Sequence, residues 1–258
     1  MPNTGKAEPK KRPGFPVRLD LSSPQARGGQ FKANTDVRLL PQGLGMDSIA
    51  VRHNMVVKLA QQGISDAQVL SAMSRVERHR FVDTALVNQA YEDTSLPIGL
   101  GQTISKPGVV SRMLALLRQG HEGPLGRVLE IGTGCGYQAA LLSHLCTEVY
   151  SIERLRGLYD KAQDNLRELQ LTNVHVLFGD GMAGYARGAP YAGIIAAAGG
   201  ESVPPAWLDQ LAVGARLVAP VASGNKRQAL VVIDKTPQGL RQTVMEAVHF
   251  VPLKSGVA

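Results

Sequence analysis

The sequence predicts an α/β protein with a doubly wound, mostly parallel sheet, and three observations support this. Beyond Gly126, short apolar runs alternate with segments of helical periodicity. Several of these runs are too apolar for a one-sided sheet, which is typical of strands that helices cover on both faces. The first run, "RVLEI", breaks at once into a glycine-rich turn. That turn is the usual strand-to-helix connection of a doubly wound sheet that binds a nucleotide-like ligand.

Three helices are predicted ahead of the sheet. Apolar residues at helical spacing from Ile49 to Leu59 predict a first helix that stops at Gly63. The segment "SDAQVLSAMSRV" predicts a second helix with Ser65 as its N-cap. A third helix begins in "PGVVSRMLALLRQ", where Pro107 sits in the first turn and its missing amide costs nothing.

Between the second and third helices, prolines and glycines predict an irregular loop. Pro97, Gly99 and Gly101 precede Thr103, Ile104 and Ser105 in "LPIGLGQTIS". The sheet itself is assigned to the runs "RVLEI", "EVYSIE", "VHVLFGD", "AGIIAAA", "ARLVAPV" and "ALVVIDK". The last two of these runs and "MEAVHFVPL" follow one another without room for long helices. An antiparallel edge of the sheet is therefore expected there.

The distribution of charge separates a basic extension from the body of the chain. The net charge is +7, and residues 1–45 carry eight Lys or Arg against three Asp or Glu. The remaining 213 residues carry 20 against 18 and are nearly neutral. We therefore expect residues 1–45 to be a disordered basic extension and 46–258 a single domain, with a helical and substrate-loop part at 46–125 and an α/β core at 126–258. A nucleic-acid-binding function carried by the basic extension is a lesser alternative.

Several function classes are disfavoured. No run approaches the roughly 18 apolar residues of a membrane span, and no apolar core follows the basic start, so we expect a cytoplasmic protein. Cys135 and Cys146 form neither a metal-ligand spacing nor a redox pair. The six histidines show no metal-ligand grouping either. No metal is expected, and a monomer is the default.

The glycine-rich turn carries the main functional signal. Gly132, Gly134 and Gly136 give the pattern G-x-G-x-G, whereas a dinucleotide fingerprint reads G-x-G-x-x-G. Glu130 stands two residues before the first glycine. A carboxylate there would repel a pyrophosphate and attract a ligand that carries an ammonium and a sulfonium. S-adenosyl-L-methionine is such a ligand.

Two further acids follow the next two strands. Glu153 ends "VYSIE", 21 positions after Gly132, where a carboxylate can accept hydrogen bonds from both ribose hydroxyls. NAD would require this acid too, so Glu153 does not discriminate. Asp180 ends the third strand in "LFGDG" and could accept from an adenine amino group, with the Gly181 amide donating to a ring nitrogen. Glu130, the glycine spacing and Asp180 together favour S-adenosylmethionine.

With these residues in view, the chain resembles the protein-L-isoaspartate O-methyltransferase family. The resemblance covers about residues 46–255, and its most specific part is "AYEDTSLPIGLGQTISKPGVVSRM". "RHRFV", "EIGTGCGYQAALL", "SIE", "GDG" and "HFVPL" also match. It implies a Rossmann-like methyltransferase sheet, mostly parallel with an antiparallel edge, behind a small N-terminal helical subdomain. It also implies methyl transfer from S-adenosyl-L-methionine to the carboxylate of L-isoaspartyl and D-aspartyl residues in damaged proteins, leaving S-adenosyl-L-homocysteine.

The resemblance also assigns residues to roles. The catalytic residue falls on Ser105, which could alternatively, or also, be the N-cap of the following helix. The residues expected to contact the methyl donor are Glu130, Gly132, Thr133, Gly134, Glu153, Asp180 and Gly181. Those expected to contact the isoaspartyl substrate are Ile98, Gly99, Gln102, Thr103 and Ser105.

Two positions depart from the family pattern, and two alternative functions therefore stay open. Ala192 stands where an aspartate is usual, and Ala197 where a threonine is usual. Their loss of polarity predicts a more flexible exit from the fourth strand. The alternatives are an S-adenosylmethionine-dependent methyltransferase of another carboxylate or small molecule, and a module that binds the methyl donor without catalysis.

Overall fold

The structure, a computed structural model, describes residues 49–223 and 227–258. The predicted basic extension lies outside these described residues. Within the part that is described, no helix is long and apolar enough to cross a membrane.

The described residues form helices and strands close to those predicted. The α-helices are α1 Ile49–Gln61, α2 Ala67–Arg75, α3 Pro107–Arg118, α4 Tyr137–Ser143, α5 Arg156–Arg167 and α6 Pro205–Gln210. The strands are β1 Leu96–Gly99, β2 Gln102–Ile104, β3 Leu125–Ile131, β4 Cys146–Glu153, β5 Val174–Phe178, β6 Tyr191–Ala196, β7 Leu211–Ser223, β8 Arg227–Thr236 and β9 Gly239–Val248. Short 3₁₀ turns, rather than α-helices, connect β5 to β6.

Seven strands form one sheet in the order β5-β4-β3-β6-β7-β8-β9. β3 pairs in parallel with both β4 and β6, whereas β7, β8 and β9 pair antiparallel. The doubly wound sheet and its antiparallel edge are therefore as predicted. The chain winds outward from β3 through β4 to β5 and returns to β6 on the other side of β3. This reversal creates a crevice at the carboxyl ends of β3 and β6, which is where open α/β sheets bind ligands.

Apolar packing covers both faces of this sheet. Because successive side chains of a strand point to opposite faces, Val128 and Leu129 of β3 enter different clusters. The cluster of Val128 includes buried residues of α2, α3 and α4. The cluster of Leu129 includes Trp207 of α6, which is 1% exposed. The central strands are thereby fixed, and so are the loops at their ends.

The helical part shows two differences from the sequence-based expectation. The N-cap of α2 is Asp66 and not Ser65, since the Asp66 carboxylate accepts hydrogen bonds from the amides of Gln68 and Val69. Ile49 begins α1 as predicted, but its side chain is 66% exposed. Arg52, which the apolar pattern did not include, is buried on the inner face of α1.

The segment predicted as an irregular loop is an ordered hairpin. β1 pairs antiparallel with β2, and Leu96 lies opposite Ile104. The bend needs three successive residues with positive φ: Gly99 at 101°, Leu100 at 51° and Gly101 at 70°. Glycine adopts such angles without a Cβ clash, so the glycines that predicted an irregular loop instead permit a tight turn. Residues 96–104 are called the acceptor hairpin below.

Candidate active site

A cavity of about 240 Å³ lies at the carboxyl ends of β3 and β4. Its wall combines parts of the chain that are distant in sequence. They include the glycine loop (residues 132–136), the end of β4 with the start of α5, the acceptor hairpin with Ser105, and residues 251–254, together with Gly181 and Ala197. The cavity therefore joins the glycine-rich turn and the "GQTIS" segment, two motifs that the sequence places about 30 residues apart.

Main-chain hydrogen bonds hold the glycine loop against β4. The amide of Gly132 donates to the Ile152 carbonyl at 2.8 Å, and the amide of Thr133 donates to the same oxygen at 3.2 Å. From α5, the Asn165 side-chain amide donates to the Cys135 carbonyl at 2.9 Å. The loop is thus tied to the next strand and to the helix that follows it.

Glu153 lies on the cavity wall and connects β4 to the glycine loop. One carboxylate oxygen accepts from the Gly134 amide and the other from the Leu155 amide, both at 2.9 Å. The side chain is 5% exposed. Each carboxylate oxygen has a second lone pair, so these bonds leave acceptor capacity for a ligand that enters the cavity.

Glu130 is close to the loop but is not on the cavity wall. Its carboxyl group is fully buried, and one oxygen accepts a hydrogen bond from the Ser151 hydroxyl. The other oxygen has no hydrogen-bond partner among the described residues. Burial raises the pKa of the Glu130 carboxyl to about 8. The sequence predicted a direct contact between Glu130 and the ligand, but the Glu130 carboxyl group is absent from the cavity wall.

Asp180 is absent from the cavity wall, while Gly181 forms part of it. The Asp180 carboxylate accepts from the amides of Met182 at 2.9 Å and Gly256 at 2.7 Å. The carbonyl of Gly181 accepts from the Trp207 indole at 2.8 Å. A Cβ at Gly181 would lie 2.7 Å from Ile131 Cγ2, so the backbone approaches β3 closely there.

Ser105 lies on the cavity wall with a half-buried side chain. The N-cap of α3 is Lys106, and neither residue caps the helix with its side chain. Asp93 does so instead, because its carboxylate accepts from the Gly108 amide at 2.7 Å. The alternative of Ser105 as an N-cap is therefore wrong. The Ser105 hydroxyl makes no hydrogen bond to any described residue and is free to meet a ligand.

The other predicted substrate contacts divide in two. Ile98, Gln102 and Thr103 are on the cavity wall. Gly99 forms the bend of the acceptor hairpin and is absent from the wall, while its neighbour Leu100 is part of it. The pairing of β1 with β2 explains why only some of these residues line the cavity. It directs some residues of the segment to the cavity and others to solvent.

Gln138 and residues 251–254 are among the wall positions that were not predicted from the sequence. Gln138, in the first turn of α4, is 8% exposed, and its side-chain nitrogen has no hydrogen-bond partner among the described residues. Its position two residues after the last glycine of the loop could have indicated it. Residues 251–254 were missed because they follow β9, more than 100 residues beyond the glycine loop.

Main-chain bonds hold residues 251–258 across the sheet. The Gly199 amide donates to Val251, and the Leu253 amide donates to Gly199. Further along, the Ala258 amide donates to the Arg154 carbonyl at 2.8 Å. The exit of β6, expected to be flexible because of Ala197, is therefore paired by backbone hydrogen bonds.

In the described part of the chain, no group of three His, Cys, Asp or Glu side chains could hold a metal ion. Cys135 and Cys146 are unpaired and buried, and burial raises the pKa of each thiol. Both are packing residues, as the sequence suggested.

Comparison with known proteins decides the family. The sequence model of the protein-L-isoaspartate(D-aspartate) O-methyltransferase family matches residues 50–258. The chain belongs to this family. It is 54% identical over 259 residues to the protein-L-isoaspartate O-methyltransferase of Methylibium petroleiphilum, covering 95% of this chain and 96% of that protein.

Solved structures agree with the fold of this family member. A protein-L-isoaspartate O-methyltransferase of 27% identity superposes with a TM-score of 0.72, over 80% of this chain and 67% of the other. A Plasmodium falciparum protein described by the same name, in complex with S-adenosyl-L-homocysteine, has 22% identity and a TM-score of 0.67. It covers 79% of this chain and 98% of its own, and it supports the fold alone.

Proposed function

We propose that this chain transfers a methyl group from S-adenosyl-L-methionine to the free carboxylate of L-isoaspartyl and D-aspartyl residues in damaged proteins, leaving S-adenosyl-L-homocysteine. One observation carries the proposal: the unbonded Ser105 hydroxyl and the glycine loop share one cavity. A site for the methyl donor and a hydroxyl for the acceptor are thereby adjacent. The family and the 54% identical relative support the same activity.

The methyl donor fits the polar groups around the glycine loop. Glu153 has acceptor capacity for ribose hydroxyls, and the unpartnered nitrogen of Gln138 suits the carboxylate of the amino-acid part. The wall residues Gly132, Thr133, Gly134 and Gly181 would lie against the ligand. We assign Glu130 and Asp180 to the support of this wall, because Glu130 accepts a hydrogen bond from Ser151 and Asp180 accepts hydrogen bonds from the amides of Met182 and Gly256.

The acceptor needs orientation more than activation. A carboxylate is already ionised at pH 7, so it attacks without a general base. Bound S-adenosylmethionine supplies an electrophilic methyl group on its sulfonium. Ser105 donates a hydrogen bond to the attacking carboxylate and fixes its angle and distance. Holding two reactants in line can lower a barrier by roughly 7–11 kcal/mol, which makes positioning the main task of this site.

The product of the proposed reaction needs no further residue of the enzyme. The resemblance to the family implies that the methyl ester loses methanol as the neighbouring backbone amide closes to a succinimide. Hydrolysis of that ring returns some normal aspartate, which would complete the repair.

We also propose that isoaspartyl proteins are the partners of this chain and that the chain is a monomer. We place it in the cytoplasm, and the two unpaired thiols are consistent with that reducing compartment. Light scattering of the purified chain tests the monomer.

The deciding experiment measures transfer of labelled methyl to a synthetic isoaspartyl peptide beside its normal aspartyl twin. Transfer to the isoaspartyl peptide alone is the expected result. Transfer to another carboxylate or a small molecule, but not to this peptide, would favour the redirected methyltransferase. Binding of the methyl donor without transfer to any aged protein would favour a binding module. Both results would contradict the proposal.

A further inference from the structure

Helix α5 contacts both the acceptor hairpin and the glycine loop. Lys161 and Asn165 are four residues apart and therefore share one face of the helix. The Lys161 ammonium donates to the Ile98 carbonyl of the acceptor hairpin at 3.0 Å. The Asn165 amide donates to the Cys135 carbonyl of the glycine loop at 2.9 Å. Adjacent turns of one rigid helix thus hold the two loops of the site.

The two loops also contact each other at this point. A Cβ at Gly134 would lie 3.3 Å from Ile98 Cδ1, so the glycine leaves just enough space for the isoleucine. One turn before Lys161, a Cβ at Gly157 would lie 3.2 Å from Leu100 Cδ1. The hairpin therefore rests on α5 at its tip and at Ile98.

The side chain of Lys161 bonds to the acceptor hairpin. Its side chain is half-buried, and no acidic side chain in the described part of the chain forms a salt bridge with it. The carbonyl of Ile98, a residue of the cavity wall, accepts its hydrogen bond. A charged donor strengthens such a bond relative to a neutral one.

We propose that Lys161 and Asn165 are positioning residues that set the acceptor hairpin and the glycine loop in register for methyl transfer. Lys161 places the hairpin, and with it the acceptor. Asn165 places the loop, and with it the methyl donor. The inference rests on the proposed function, since it concerns the acceptor and methyl donor of that same reaction. Neither residue touches the reacting atoms.

The test compares Lys161→Met, which keeps chain length and removes the charge, with Lys161→Arg, which keeps a cationic donor. Lys161→Met should raise the KM for an isoaspartyl peptide about 10-fold, corresponding to about 1.4 kcal/mol. Its Kd for S-adenosyl-L-homocysteine should stay within about twofold of wild type, and Lys161→Arg should restore most of the loss. Asn165→Leu should give the opposite pattern, with the Kd raised about 10-fold.

Lys58→Met, an exposed lysine of α1 far from these contacts in sequence, is the matched control and should change neither constant. A purely structural role would lower the melting temperature and weaken the binding of both ligands together. Equal rises of KM and Kd in Lys161→Met would therefore overturn the inference. Unchanged KM in Lys161→Met, or no rescue by arginine, would overturn it as well.

A second measurement separates this inference from the proposed function. Hydrogen exchange of the amides of residues 96–104 needs no substrate, and it should accelerate about 10-fold in Lys161→Met but not in Lys58→Met. If the wild-type chain methylates no isoaspartyl peptide, the proposed function fails, and the exchange result still tests whether Lys161 holds the hairpin. Unchanged exchange would show that it does not.

Discussion

The glycine loop and the acceptor hairpin form parts of the same cavity wall, yet they are held in different ways. The loop follows directly from β3 and is bonded to the main chain of β4 and to the buried carboxylate of Glu153. The hairpin is outside the main sheet, and its tip residue Leu100 is 62% exposed. It is supported by its own pairing, by α5, and by burial of Leu96, Ile98 and Ile104 in the apolar cluster that contains Val128.

Because their supports differ, the glycine loop and the acceptor hairpin can be changed separately by mutation. Residues bonded to the glycine loop should affect binding of the methyl donor, while residues on the hairpin should affect the acceptor. A variant on one side should therefore change the binding of one ligand and leave the binding of the other unchanged.

The largest effect is expected from Ser105→Ala. The Ser105 hydroxyl is free in the structure, and a hydrogen bond to a charged group is worth roughly 1.5–3 kcal/mol. Methyl transfer should therefore fall about 10- to 100-fold, while the Kd for S-adenosylmethionine stays unchanged. Single-turnover kinetics and calorimetric titration measure the two quantities. An unchanged rate would contradict the catalytic role of Ser105. A higher Kd would show that the acceptor side also affects binding of the methyl donor.

Glu153→Gln should give the converse result with a smaller magnitude. The amide keeps one acceptor oxygen but loses the charge and one of the bonds to Gly134 and Leu155. We expect the Kd for S-adenosylmethionine to rise about 10-fold, with little change in the KM for the peptide. Glu148→Gln is the control, because Glu148 lies on the same strand and is absent from the cavity wall. An equal change in both variants would refute the role of Glu153.

Glu130 should make stability depend on pH. Burial holds the pKa of the Glu130 carboxyl at about 8 in the folded protein, above the ordinary value of 4.5 for a glutamate. Between these values the folded state binds more protons than the unfolded state, so the free energy of unfolding falls as pH rises. Glu130→Gln removes this titration and should flatten the dependence between pH 5 and 8. Urea unfolding across that range tests it, and equal slopes in both proteins would be the contrary result.

The smallest effect is expected from Gly157→Ala on α5. Alanine favours a helix over glycine by about 1 kcal/mol, so the melting temperature should rise. The new Cβ would lie 3.2 Å from Leu100 Cδ1 and should displace the hairpin tip slightly. We expect the KM for the peptide to rise about twofold while the Kd for the methyl donor is unchanged. An unchanged KM would show that the position of the hairpin tip does not affect acceptor binding.

The sheet was predictable because its signals are local. Continuous apolar runs and the glycine-rich turn predict β3, β4 and the loop between β3 and α4, and the structure confirms those elements. Glu153 could be placed on the wall because it directly ends its strand. The same reasoning placed Glu130 and Asp180 there too, and it could not foresee that the Ser151 hydroxyl would donate to Glu130 and the Gly256 amide to Asp180.

The acceptor side was harder because its order depends on distant residues. Glycine and proline in "LPIGLGQTIS" indicate a break, but pairing between Leu96 and Ile104 is what makes it a hairpin. Asp93 caps α3 through the Gly108 amide, 15 residues away in the chain, and the Ser105 hydroxyl is therefore not needed as a cap. The contact of Lys161 with Ile98 spans 63 residues. Local patterns do not encode such contacts.

The hydrogen bond between Trp207 and Gly181 gives the molecule an internal optical probe. Trp207 is the only tryptophan of the sequence, and its indole donates to a carbonyl of the cavity wall at 2.8 Å. Indole emission responds to the field and polarity around the ring. A ligand that settles against Gly181 should therefore shift the fluorescence of the native protein, so that occupancy can be followed in real time without label or peptide.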